Sequence, residues 1–333
     1  MELFGVLPSG ESIYKFTLRS AAAEAEIISY GAAIRSFSAF GRDIVGGSET
    51  LGQYLTGHAY FGTTVGRVCN RIVGGRLVID GETVELTKNN GEHCLHGGTD
   101  GYHNKPWEVI SHTPSSVTLG YLSPDGQSGF PGNLKITARF CLEGSRLSVI
   151  YRAVSDKKTP VMLTSHGFFN LSSFERDVLS SRAIIYADEV TEVDEKRLPT
   201  GRHIPVKDSF LDFTSEHSFG ERIEESPVGY DHNYILKPTV FSEVEGIRVG
   251  LAAEVRGEGL CLKAYTNQPG MQLYVMKNPP KSTPTVKNGR ALLPNGAFCL
   301  EAQIEPDCVS RGIGFIDAGE EYVSAVAYEI SCD

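Results

Sequence analysis

Apolar and polar residues alternate with a period of two in segments spread from one end of this chain to the other. That spacing puts every second side chain on one face of an extended segment, as a half-buried β-strand requires. The longest example runs Leu134-Lys-Ile-Thr-Ala-Arg-Phe-Cys-Leu, passes through Glu143-Gly-Ser, and resumes as Arg146-Leu-Ser-Val-Ile-Tyr-Arg-Ala-Val, which reads as a hairpin. Glu24 to Tyr30, Ser116 to Leu122, Leu260 to Tyr265 and Tyr322 to Ile330 repeat the pattern. Turn clusters separate them, among them Ser123-Pro-Asp-Gly-Gln-Ser-Gly-Phe-Pro-Gly and Leu198-Pro-Thr-Gly. No long amphipathic helix, low-complexity linker or repeat interrupts the series, so an all-β fold with residues 1–333 in a single domain is expected.

Composition removes several classes of function. With 41% apolar and 22% charged residues the chain has enough apolar side chains for a large core, which argues against disorder. A formal net charge of -10 without a dense Lys/Arg cluster repels a phosphate backbone, so nucleic acid is not expected as a partner. No segment approaches the ~20 apolar residues that cross a bilayer, and Met1-Glu-Leu-Phe-Gly-Val lacks a basic, apolar leader. The seven cysteines are scattered, without a Cys-x-x-Cys pair, and suit reduced thiols in the cytoplasm.

Six segments hold residues with chemical potential. Tyr60-Phe-Gly-Thr-Thr-Val-Gly-Arg-Val-Cys-Asn-Arg-Ile places Asn70 and Arg71 side by side. Neighbours on a regular strand face opposite ways, so both serve one pocket only if the backbone bends there; otherwise Arg71 is a surface residue. Its glycines lack the spacing of a dinucleotide loop. Asn89-Asn-Gly-Glu-His-Cys-Leu-His-Gly-Gly crowds His93, Cys94 and His96 into a loop, yet a zinc site needs a second ligand pair and none is evident, so no metal is expected. In Pro160-Val-Met-Leu-Thr-Ser-His-Gly-Phe-Phe-Asn-Leu, His166 ends an apolar run, either as a core residue or at the mouth of a cleft.

In Gly296-Ala-Phe-Cys-Leu-Glu-Ala-Gln, alternation puts Cys299, Glu301 and Gln303 on one face and Phe298, Leu300 and Ala302 on the other. A buried Glu301 carboxyl would titrate above the ordinary glutamate range, which suits a general base; an outward-facing Glu on an edge strand is the alternative. Tyr230-Asp-His-Asn-Tyr offers Asp231, and Asn267-Gln-Pro-Gly-Met-Gln-Leu-Tyr offers Gln268 and Gln272. Such a mixture of Asp, Asn, Gln, Arg and His suits sugar hydroxyls, which both donate and accept hydrogen bonds.

Taken in order, Gly-Arg-Val-Cys-Asn-Arg-Ile, His-Cys-Leu-His-Gly-Gly, Ser-His-Gly-Phe-Phe-Asn-Leu and Phe-Cys-Leu-Glu-Ala-Gln, with the two turn clusters between them, resemble the galactose mutarotase (aldose 1-epimerase) family over most of the chain. The resemblance implies a large antiparallel β-sandwich of that family's type, with a shallow sugar cleft and no metal or organic cofactor. It implies interconversion of the α and β anomers of a free hexose. Glu301 is then the general base on the C1 hydroxyl, and His166 the general acid on the ring oxygen. His96 is the second active-site histidine, while Asn70, Arg71, Asp231 and Gln272 hold the sugar. Two departures bear on the choice of sugar, left open between galactose and glucose: Val275-Met-Lys follows Leu273-Tyr274, and Phe168 stands where Tyr is common.

A hexose-6-phosphate epimerase on the same fold would need more positive charge than Arg71 supplies. A non-catalytic carbohydrate-binding protein would have no use for a matched acid and base. The expected partner is a small aldose, and the expected state a monomer.

Overall fold

The computed structural model describes residues 1–56, 60–279 and 285–333. The period-two segments become strands of three principal sheets. In the largest, the order across the sheet is Glu108–His112, Ser116–Ser123, Leu134–Glu143, Arg146–Ser155, Glu321–Cys332, Leu260–Thr266, Ile247–Gly257, Arg182–Ile185 and His217–Ser218, with Phe241–Val244 added on Ile247–Gly257. The second runs Phe168–Phe169, Phe298–Gln303, Gly270–Val275, Asp231–Leu236, Ala187–Val193 and Pro199–Pro205. The third, N-terminal sheet runs Glu2–Val6, Ser12–Arg19, Ala23–Ile28, Ala33–Ala39 and Arg42–Asp43. Every strand pair within them is antiparallel among the described residues.

Local chemistry accounts for the expected hairpin. Glu143 pairs with Arg146 across a two-residue loop, and Gly144 at its first position takes φ 58, a conformation that glycine adopts without the strain a Cβ brings. The Leu198-Pro-Thr-Gly cluster differs from expectation. The reversal lies one step earlier, where the Asp194 carboxylate accepts from the backbone N–H groups of Lys196 at 2.8 Å and Leu198 at 2.9 Å. Pro199 then opens the edge strand Pro199–Pro205, a position where a missing N–H removes little from the ladder.

One buried cluster draws on all three sheets, with Phe16, Ile27 and Phe37 from the N-terminal one, Phe140, Val149 and Tyr328 from the largest, and Leu273, Phe298 and Leu300 from the second. The Tyr328 hydroxyl donates to the Leu300 carbonyl at 2.8 Å, tying the largest sheet to the strand that carries Glu301. Phe298, Leu300 and Ala302 enter this core, as their alternation predicts, so that Glu301 faces the other way. Among the described residues no helix is long and apolar enough to cross a membrane. All seven cysteines are free thiols, six of them buried.

Candidate active site

The floor of the site is a ladder of three strands in register. Asn233 pairs with Gln272, and Gln272 with Glu301. A chain of side-chain bonds fixes the amides: Gln303 Nε2 donates to Asn233 Oδ1 at 3.2 Å and Gln272 Oε1 at 3.3 Å, while Asn233 Nδ2 donates to Thr191 Oγ1 at 3.1 Å. Gln272 Nε2 donates to Asp231 Oδ1 at 2.7 Å, which aims the Asp231 carboxylate at the cavity's edge. Networks satisfied in this way hold side chains in one arrangement.

One wall is built by Asn70 and His96, both in the left-handed backbone region with φ 60 and φ 51. Asparagine tolerates that region better than most residues and histidine is enriched there too. The two lock each other: the Asn70 N–H donates to His96 Nδ1, and the His96 N–H to the Asn70 carbonyl, each at 3.1 Å. The bend at Asn70 supplies the condition set by the sequence, so Asn70 and Arg71 face one cavity despite being neighbours. Arg71 Nε donates to Asn90 Oδ1 at 3.2 Å, which steadies its stem. Gly97 follows at φ 87, and a Cβ there would meet the Gly66 carbonyl oxygen at 1.8 Å.

Glu301 and His166 are 2% and 6% exposed, with His166 Nε2 3.6 Å from Glu301 Oε1. That separation is longer than a direct hydrogen bond, and Glu301 Oε2 is buried without a protein partner. Burial pushes the Glu301 carboxyl up to about 8, with the Asp231 charge adding to it, and pushes the His166 imidazole down to about 3. Both shifts favour the uncharged form, so the pair holds one proton across the intervening range. Burial, then His166, His103 and Arg71, hold His96 well below its usual range. Because Nδ1 of this neutral ring accepts from Asn70, the hydrogen bond assigns its proton to Nε2, making His96 a donor.

The same tautomer tests a metal. Donor atoms of His96, His166 and Glu301 lie within 4.8 Å of one another. A ligating histidine gives a lone pair to the metal and donates its other N–H, whereas His96 Nδ1 already accepts a hydrogen bond. Two donors remain, fewer than zinc ordinarily takes from protein. His93 turns elsewhere, accepting from the Gly74 N–H at 3.1 Å, and burial pushes the Cys94 thiol up to about 12, far from a thiolate.

The cavity, about 250 Å³, is lined by all seven residues to which the resemblance gives a role: Asn70, Arg71, His96, His166, Asp231, Gln272 and Glu301. Gln268 stands apart, donating to Asn267 Oδ1 on the surface. Tyr60, Leu95, Phe168, Arg197, Tyr274 and Met276 complete the lining. Arg197 comes from the Asp194 reversal, with Nη2 3.7 Å from Asp231 Oδ2. Of the Val275-Met-Lys departure, Met276 alone reaches the cavity; Val275 is in the core, and Lys277 Nζ donates away from it, to Glu224 Oε2 at 2.9 Å and the Ser226 carbonyl at 3.0 Å.

Comparison with known proteins gives concordant matches. The family model for aldose 1-epimerase matches residues 14–329. The galactose mutarotase of Sus scrofa is 36% identical, over 96% of this chain and 95% of its own, and the aldose 1-epimerase of Escherichia coli K12 is 32% identical over 81% and 80%. Among solved structures, the galactose 1-epimerase of Lactobacillus acidophilus superimposes with a TM-score of 0.86 at 25% identity, over 99% of this chain and 98% of its own. An aldose epimerase homologue from C. elegans gives 0.87 at 25% identity, over 96% and 99%.

Proposed function

The chain belongs to the aldose 1-epimerase family, and we propose that Glu301 and His166 carry out its reaction, the interconversion of the α and β anomers of a free hexose. The observation that supports this most is the buried pair itself, an acid and a base sharing one proton at the floor of one cavity. In the productive form Glu301 is a carboxylate and His166 an imidazolium. Glu301 removes the proton from the C1 hydroxyl, the C1–O5 bond breaks, and His166 delivers its proton to O5, leaving an open-chain aldehyde. That step leaves Glu301 protonated and His166 neutral, the distribution that burial favours, so opening the ring discharges an ion pair between two buried groups. Rotation about C1–C2 presents the other face of the aldehyde, and the same two groups in reversed roles close the ring. Each positioned group supplies about 10²- to 10⁴-fold, roughly 3–5 kcal/mol.

His96 Nε2–H and Arg71 act as donors to the sugar and Asp231 as an acceptor, while Asn70 and Gln272 serve as either. The His96 tautomer supports a mechanism without a metal. The phosphosugar alternative gains Arg197 in the same cavity as Arg71, yet Arg197 lies 3.7 Å from the Asp231 carboxylate, which opposes a phosphate dianion. The free thiols support a cytoplasmic location, and the shared core supports one domain.

Polarimetry of freshly dissolved α-D-galactose and α-D-glucose, with a chelator present, tests the reading. The expected outcome is faster approach to the same final rotation, with the rates ranking the two sugars. No acceleration of either, or turnover of glucose 6-phosphate at least equal to that of glucose, would overturn it.

A further inference from the structure

We infer that Tyr60, Phe168 and Cys299 are positioning residues that hold the imidazole of His166 by uncharged contacts, leaving its Nε2 edge as the working edge; this rests on the acid role proposed for His166. The Phe168 ring stacks on His166 with centroids 4.9 Å apart and planes 19° from parallel, and Tyr60 does so at 5.4 Å and 23°. His96 meets the same ring edge-on at 5.3 Å. Cys299 Sγ lies 3.8 Å from Nδ1, and its strand pairs Cys299 with Phe168, so two of the holding groups are neighbours in one ladder. The holders are themselves braced. Tyr60 packs against His96 and His103 with centroids 4.7 Å away in each case, and Phe168 against Phe61 at 5.0 Å.

The chemistry of the contacts explains why they suit this reaction. A carboxylate behind a histidine orients the ring but also stabilises its imidazolium and weakens it as an acid. A sugar ring oxygen is a poor base, so the donor must be strong when charged. Aromatic faces and a thiol fix the ring without placing a full negative charge behind it. Burial keeps the Cys299 thiol well above its usual range, hence protonated and neutral. The π faces still offer the transient imidazolium some stabilisation through their quadrupoles.

The test compares kcat and KM of Tyr60→Leu, Phe168→Leu and Tyr60→Phe, with His166→Asn as the reference, on α-D-galactose or whichever hexose the polarimetry ranks first. Loss of orientation is expected to lower kcat of the two leucine variants by about tenfold or more, with KM within about threefold, because misplaced groups cost rate before they cost binding. Tyr60→Phe, which keeps the ring, is expected to behave like wild type. Folded leucine variants with wild-type kcat, a change in KM alone, or Tyr60→Phe as damaged as Tyr60→Leu would overturn the inference. Should Phe168→Leu fail to fold, the half-buried Tyr60 carries the test. Substantial activity in His166→Asn would instead overturn the acid role itself, and the positioning role with it.

Discussion

Glu301→Gln is expected to abolish turnover while making the protein more stable at neutral and alkaline pH. The wild-type carboxyl is fully buried, one of its oxygens has no protein partner, and its pKa is held up at about 8. In the unfolded chain it ionises near the ordinary glutamate value of 4.5. A folded pKa above the unfolded one means that the native state binds the proton more tightly. The associated stability is full below the unfolded pKa and is lost as pH rises through the folded one. Each pH unit in that window is worth about 1.4 kcal/mol, so wild type should lose on the order of 3–4 kcal/mol from this group between about pH 5 and pH 8. Glutamine keeps the shape, is neutral throughout, and has no such term. Urea unfolding of both proteins at the two pH values isolates it, since contributions common to both cancel in the difference. The reasoning fails if the stability gap between variant and wild type is the same at both pH values, or if the variant turns sugar over at the wild-type rate.

Three further outcomes follow from the same geometry. Because the pair holds one proton between about 3 and about 8, kcat/KM should be flat through neutrality and fall about tenfold per unit once the pair loses that proton; a polarimetric plateau extending beyond about pH 9.5 would contradict this. Arg197→Leu should raise KM by about tenfold with kcat little changed, the worth of one charged hydrogen-bond donor, and saturation curves showing an unaltered KM would remove Arg197 from the sugar's contacts. Gly97→Ala combines a positive φ with a Cβ 1.8 Å from a backbone oxygen, so a loss of more than about 4 kcal/mol is expected; a urea midpoint close to wild type would refute the clash.

What could be seen in the sequence was what depends on near neighbours. Alternation over Phe298 to Gln303 is enough to divide that strand into a core face and a site face, and the Gly144 loop is enough to place a hairpin. Pro199 was misplaced for an equally local reason, since proline marks turns more often than edge strands and only the pairing of Val193 with Pro199 distinguishes the two. Arg197 was missed because Asp194-Glu-Lys-Arg looks like any solvated turn. Its reach into the cavity depends on where the second sheet places that turn. Phe168 stands two residues from His166, the spacing that puts neighbours on one face of an extended segment, whereas the stacking of Tyr60 on His166 joins segments far apart in the chain and leaves no trace in spacing.

The protonation states were the least accessible part, and they decide the chemistry. His-Cys-Leu-His is compatible with a metal until the Asn70 N–H, 26 residues away, claims His96 Nδ1 and makes the ring a donor. Glu301 on a strand is compatible with an exposed salt-bridging residue until Asn70, His96 and His166 close the cavity on that face of the strand and leave it 2% exposed. Each fact is a consequence of tertiary burial acting on a residue type that the sequence does specify. Local pattern therefore identifies which side chains could share a site, whereas the fold determines which of them are charged there. Burial favours the uncharged forms of both Glu301 and His166, the pair proposed to carry the reaction, at a cost in stability that Glu301→Gln is designed to expose.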